Sequence, residues 1–120
     1  MQHGGAKHHR ERMTEALRDE ISTILEGELG DPRIGLVSVT EAQLSPDGRT
    51  VRVFVSVEGD GDEAVCTMEG LSAARNFIRR ELASRLRLRQ PPEVFFQLDN
   101  SSQYGARIEE LLKRIHKRGG

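Results

Sequence analysis

Four valines at alternate positions, Val51, Val53, Val55 and Val57, are the strongest structural instruction in this 120-residue chain. Polar Arg52 and Ser56 stand between them, so an extended chain here has one apolar face and one wet face. Just before lies Ser45-Pro46-Asp47-Gly48. Proline presets φ, aspartate bonds its own backbone and glycine accepts positive φ, so the stretch is turn chemistry. A second apolar run, Leu36 to Leu44, precedes the turn. Together they predict a β-hairpin whose valine face has to be covered by the rest of the chain.

The cover is helical. Met13, Leu17, Ile21, Ile24 and Leu25 repeat with the spacing of one helix face, continuing to Glu28-Leu29. Gly30 stands where a helix C-cap would, and Asp31-Pro32 forbids continuation. Val65, Met68 and Leu71 predict a short inward-facing helix over 62–73, and Phe77, Ile78, Leu82 and Leu86 predict another. Pro91-Pro92 ends that stretch, and Val94-Phe95-Phe96-Gln97-Leu98 is a short apolar strand. Asp99, Asn100 and Ser101 offer N-caps for a last helix with Ile108, Leu111, Leu112 and Ile115 on its core face. Residues 1–11 show no periodicity and read as a disordered N-terminal arm, 12–116 as one domain and 117–120 as a short tail. The order is α-β-β-α-α-β-α, an α+β fold with a three-stranded sheet covered by helices.

Several function classes lack their residues. The lone Cys66 cannot form an internal disulfide, which fits a reducing compartment, and on its helix it is expected to be a small buried residue. No apolar run approaches eighteen residues, and the N-terminus lacks the apolar stretch of a signal peptide, so a cytoplasmic protein is expected. His3, His8, His9 and His116 lie in terminal stretches without a metal-binding pattern. Glu58-Gly59-Asp60-Gly61-Asp62 lacks the ligand spacing of a calcium loop and reads as a solvated turn. No phosphate cradle, nucleophile elbow or carboxylate pair is present. An enzyme, a cofactor and a metal are not expected.

Charge is sorted along the chain. Residues 1–70 hold seven Lys/Arg and fourteen Asp/Glu, a net of −7, whereas residues 71–120 hold eleven and five, a net of +6. The sorting peaks in Leu71–Arg89, with six arginines (Arg75, Arg79, Arg80, Arg85, Arg87 and Arg89) against Glu81 alone. A helix face meant only for solubility mixes signs, and arginine forks onto phosphate and stacks on bases. Those six arginines are therefore the candidate RNA contacts. At the start of this segment, Ala74-Arg75-Asn76 reads in two ways. It is either a kink between two helices, because asparagine tolerates a left-handed backbone, or one continuous helix with a weak residue in it. A kink would leave free N–H groups at the second helix's start and add Asn76 to the site. Phe54 and Phe95 fall on the sheet face opposite the valines, where partial cover by a neighbouring side chain or loop is expected over base stacking.

These residues resemble a known family. Asp31-Pro32-Arg33-Ile34, Val37-Ser38-Val39-Thr40, Leu44-Ser45-Pro46-Asp47 and Val53-Phe54-Val55-Ser56 resemble the front half of ribosome-binding factor A. Ala74-Arg75-Asn76-Phe77-Ile78-Arg79, Leu86-Arg87-Leu88-Arg89, Pro92-Glu93, Phe96, Asp99, Ser101, Gly105, Arg107-Ile108 and Leu111-Leu112 resemble its second half. The resemblance covers about residues 12–115 in register and implies a single K-homology-like (type II) domain, α-β-β-α-kink-α-β-α. There an interrupted helix, Ala-x-Gly, replaces the usual glycine loop. It also implies a bacterial assembly factor that binds the free small (30S) ribosomal subunit, assists late 16S rRNA maturation and leaves before translation. Other ribosomal proteins or assembly factors are further partners it allows; no membrane partner is expected, and a monomer is. The family glycine is Asn76 here. Two other readings are a general single-strand RNA-binding module and a protein-interaction domain using the Phe54–Phe95 face.

Overall fold

In a computed structural model the chain is described over residues 2–27, 34, 36–99 and 103–119, with the side chains of 2–8, 103–105 and 116–119 outside that description. Its elements are α1 (Gln2–Gly27), β1 (Val37–Leu44), β2 (Thr50–Val57), α2 (Gly61–Ala73), α3 (Arg75–Arg85), β3 (Glu93–Leu98) and α4 (Gln103–Gly119). This is the α+β order that the sequence and the K-homology-like resemblance both imply.

The hairpin closes as its turn residues require. Ser45 N–H donates to Thr50 O and Gly48 N–H to Ser45 O, both at 2.9 Å. Asp47 Oδ1 accepts from the Ser45 hydroxyl at 2.6 Å and from Arg49 N–H at 3.1 Å. Those donors, the hydroxyl foremost, hold the Asp47 carboxyl below its ordinary range. Gly48 takes φ +72°, a conformation costly for a residue with a Cβ. β3 then joins the far side of β2 in parallel, giving the order β1-β2-β3. A parallel neighbour needs a crossover, and α2 with α3 supplies it.

β1 carries a correction to its own alternation. Its register against β2 shifts between Val39 and Glu41, leaving Thr40 as the extra residue of a bulge. Without it, strict alternation would carry Glu41 and Gln43 to the face of Val37 and Val39. With it, Ala42 and Leu44 turn to that face, and Glu41 and Gln43 stay exposed. Thr40 Oγ donates to Phe54 O at 3.2 Å across the bulge.

The valines form the floor of the core: Val51, Val53 and Val55 are fully buried, under Leu17, Ile21 and Ile24 of α1, Leu71 of α2, and Ile78 and Leu82 of α3. Val94, Leu98 and Ile108 complete the cluster. Asp60, read from sequence as part of a solvated turn, is the N-cap of α2, and its side chain accepts from Glu63 N–H at 2.8 Å.

Four expectations change. α1 begins at Gln2, so the stretch expected to be a disordered arm is helical from there; once a helix is nucleated, each further residue adds a hydrogen bond without needing an apolar stripe. Arg10 ties this end to the sheet through Nη2 and Leu44 O at 3.0 Å. Cys66, expected to be buried, is exposed, because α2 turns Ala64, Val65, Met68 and Leu71 inward and leaves Cys66 and Glu69 on the outer side. Phe77 is 37% exposed, since Ile78 and Leu82 alone fill the space beneath α3. On α4, Ile108 is buried and Leu112 half-buried, while Leu111 and Ile115 are exposed: the four read as one face span a wider arc than the core contacts. The expected helix stop at Gly30, the breaker Asp31-Pro32 and the caps Asn100 and Ser101 lie outside the described residues.

Candidate nucleic-acid interface

The helical run is interrupted at Ala74, between α2 and α3. Ala74 has φ −87° and ψ −1°, and its N–H is shared between Gly70 O and Leu71 O at 3.1 Å each. Ile78 N–H donates to Ala74 O at 3.0 Å, starting the ladder of α3. The interruption is one right-handed residue. Asn76 does not use the left-handed backbone expected of it; it sits exposed in the first turn of α3. The interruption is seen in the shared Ala74 N–H and asks for no positive φ at position 76, so the asparagine there meets no left-handed backbone penalty.

Beyond the kink, the first turns of α3 lie beside the free edge of β3. Arg75 donates from Nε to Ser72 O at 3.3 Å and lays its guanidinium over the Phe95 ring, 5.0 Å from the centroid. Phe95, 40% exposed on the side opposite Val94, thus receives the neighbouring cover expected for it. Arg79 donates from Nε to Pro91 O at 3.0 Å. Each guanidinium is oriented by a neutral carbonyl, which fixes direction without cancelling charge. Between them opens a cleft of about 160 Å³ lined by Arg75, Asn76, Arg79, Glu93, Val94 and Phe95. Glu93 is the residue here that sequence reading missed as part of the site; its signal was the alternation of β3, which puts it on the same side as Phe95.

The remaining arginines divide. Arg80, Arg87 and Arg89 are exposed and have no ion-pair partner among the described residues. Arg85 differs: Nε binds Glu81 Oε1 at 3.2 Å and Nη1 binds Glu20 Oε2 at 3.3 Å, pinning α3 to α1. Of the arginines read as RNA contacts, Arg85 is therefore a clamp between helices. It also occupies Glu81, the only acid of α3. The edge left over is positive: Arg75, Arg79 and Arg80 near the kink, Arg87 and Arg89 past the helix end.

Among the described residues no group of three or more His, Cys, Asp or Glu gathers as a metal site, and no helix is long and apolar enough to cross a membrane. The arrangement defines a small α+β domain with an arginine-lined helix edge beside an exposed strand. More narrowly, the chain belongs to the ribosome-binding factor A family, whose model matches residues 9–112. A ribosome-binding factor A of Koribacter versatilis (strain Ellin345) is 56% identical over 118 residues, covering 98% of this chain and 96% of that protein. The crystal structure of ribosome-binding factor A from Thermus thermophilus superposes with a TM-score of 0.67 at 26% identity, covering 77% of this chain and 97% of that one. A homology model of the Thermus thermophilus factor, fitted into the cryo-EM map of its complex with 30S, superposes with a TM-score of 0.53 at 31% identity over 77% of this chain and 92% of that one.

Proposed function

We propose that this protein is a non-catalytic assembly factor that binds the free small (30S) ribosomal subunit as a cytoplasmic monomer and holds 16S rRNA along the α3 edge during late maturation. One observation carries the reading: five arginines (Arg75, Arg79, Arg80, Arg87 and Arg89) stand on α3 and the turn just past it, and none is paired with an acid among the described residues. Phosphates supply the negative charge that these cations lack. The likeness to a factor fitted into a 30S complex supports the choice of partner.

The test is co-sedimentation with purified small subunits, large subunits and joined ribosomes. Enrichment is expected on small subunits alone. Arg79→Glu combined with Arg80→Glu should abolish it, while the melting temperature falls by no more than about 4 °C, the cost of the one part-buried hydrogen bond from Arg79 to Pro91 O. Contact with about five phosphates gives a fall of log K with log salt of roughly −3 to −4. A flat salt dependence, or undiminished sedimentation of the double variant, rules the electrostatic edge out.

A further inference from the structure

A second cleft lies at the other end of α3, and we infer that it takes one unpaired nucleobase of the bound RNA while Arg87 and Arg89 hold the adjoining phosphates. The inference rests on the RNA-binding reading and extends it to a site of different chemistry. Met13, Leu17, Leu44, Pro46, Leu88 and Pro92 line this cleft, whose volume is about 250 Å³. An apolar cavity of about 150 Å³ accepts a benzene-sized ring, so this one has room for a pyrimidine or purine. The first cleft opens at the start of α3 and this one past its end, and the 11-residue helix between them is ~15 Å long.

What surrounds the slot fits a nucleotide. Arg10 lines it, and Arg49, Arg87 and Arg89 adjoin its lining residues Gly48, Leu88 and Gln90 in the chain. Asp47 is the single acid in the lining, and its Oδ1 is already engaged by Ser45 and Arg49 N–H. An apolar floor with a cationic rim matches the flat ring and charged backbone of a nucleotide, and the rim continues the arginine edge of α3.

The backbone supplies an independent observation. Arg87 has φ +54°, the only positive φ of a non-glycine residue among those described. Leu88 N–H donates to Ala83 O at 2.9 Å, closing a Schellman turn in which the left-handed position is ordinarily glycine. The turn brings Leu88 back as a wall of the slot and leaves the Arg87 side chain in solvent. An arginine held where a Cβ is penalised, one residue from the slot wall Leu88, fits a side chain kept for its charge.

Two variants and one cross-linking measurement test this on the complex with intact small subunits. Arg87→Gly should raise the melting temperature by about 4 °C, yet weaken association and lower the salt slope by about 0.7, the share of one single-strand phosphate. Gln90→Trp puts a ring into the slot from its exposed rim and should weaken association about tenfold, the loss of one stacked base, with folding unchanged by circular dichroism. Ultraviolet cross-linking followed by mass spectrometry should find a nucleotide on peptides containing residues 43–49 or 87–92. A ribosomal-protein cross-link there instead overturns the nucleobase assignment. Wild-type association by both variants, while Arg79→Glu/Arg80→Glu fails, leaves the edge reading intact and overturns the slot. Wild-type association by all three removes both.

Discussion

Two consecutive helices separated by one residue obey opposite rules. α2 follows the rules for a stable helix start and a buried face: Asp60 caps it, Asp62 and Glu63 sit in its first turn where the dipole favours acids, and six of its 13 residues are buried. α3 breaks the same rules. It has no side-chain cap, Arg75 leads a first turn without acids, only Ile78 and Leu82 are buried, and the residue after its C-cap is an arginine in a glycine conformation. Cations at a helix N-terminus cost roughly 0.3–1 kcal/mol each. A stretch that departs from local stability on a surface while keeping its core anchors is where function is expected. α2 holds the fold, and α3 rides on two anchors and presents charge.

The largest expected effect tests those anchors. Leu82→Ala should destabilise the protein by about 3 kcal/mol in urea unfolding, within the range for a fully buried leucine, and Leu71→Ala on α2 should cost a similar amount. If Leu82→Ala costs far less, α3 is not anchored as described and the contrast between the helices fails. A smaller effect tests the cap. Asp60→Ala should cost about 1 kcal/mol by removing the acceptor of Glu63 N–H. Subunit binding should not change, because the loss falls on α2, away from the arginine edge. A coupled loss of binding would mean that the order of α2 is transmitted through Ala74.

How much of this was legible in the sequence depends on which force decides each position. The hairpin, the valine floor and the inward faces of α1 and α2 were readable because burial has a fixed period in each kind of element. Ile78 and Leu82 were readable for the same reason, whereas Phe77 was not: whether a residue at the margin of a stripe is covered depends on what packs opposite. Thr40 shows the same limit in a strand, since a bulge is visible only as a stumble in the alternation until a partner strand fixes the register. At the site, the sequence marked the arginines by sign, and the i,i+4 spacing of Glu81 and Arg85 was the one hint that could separate them. Arg85 and Arg80 have the same chemistry and lie five residues apart. Only the tertiary placement of Glu20, 65 residues from Arg85, makes one a clamp and leaves the other facing solvent. The role of Asn76 was also out of reach, because the kink residue is Ala74, whose small side chain carries no turn signal.

That separation gives the smallest and most discriminating prediction. Arg85→Ala removes two partly exposed ion pairs with side chains 26–34% accessible, so it should lower stability by about 0.5 kcal/mol and no more than about 1. Its effect on small-subunit association should be slight and in the weakening direction, since it deletes one already paired cation and leaves Glu20 and Glu81 uncompensated beside the edge. Arg80→Ala should do the reverse, leaving urea unfolding within about 0.5 kcal/mol of the parent while reducing association and the salt slope by the share of one phosphate. The two changes delete the same group from the same helix. If both weaken binding equally, the edge acts through net charge alone, and the directions set by Ser72 O and Pro91 O for Arg75 and Arg79 carry no information. If they separate as stated, α3 recognises its partner by where each guanidinium points.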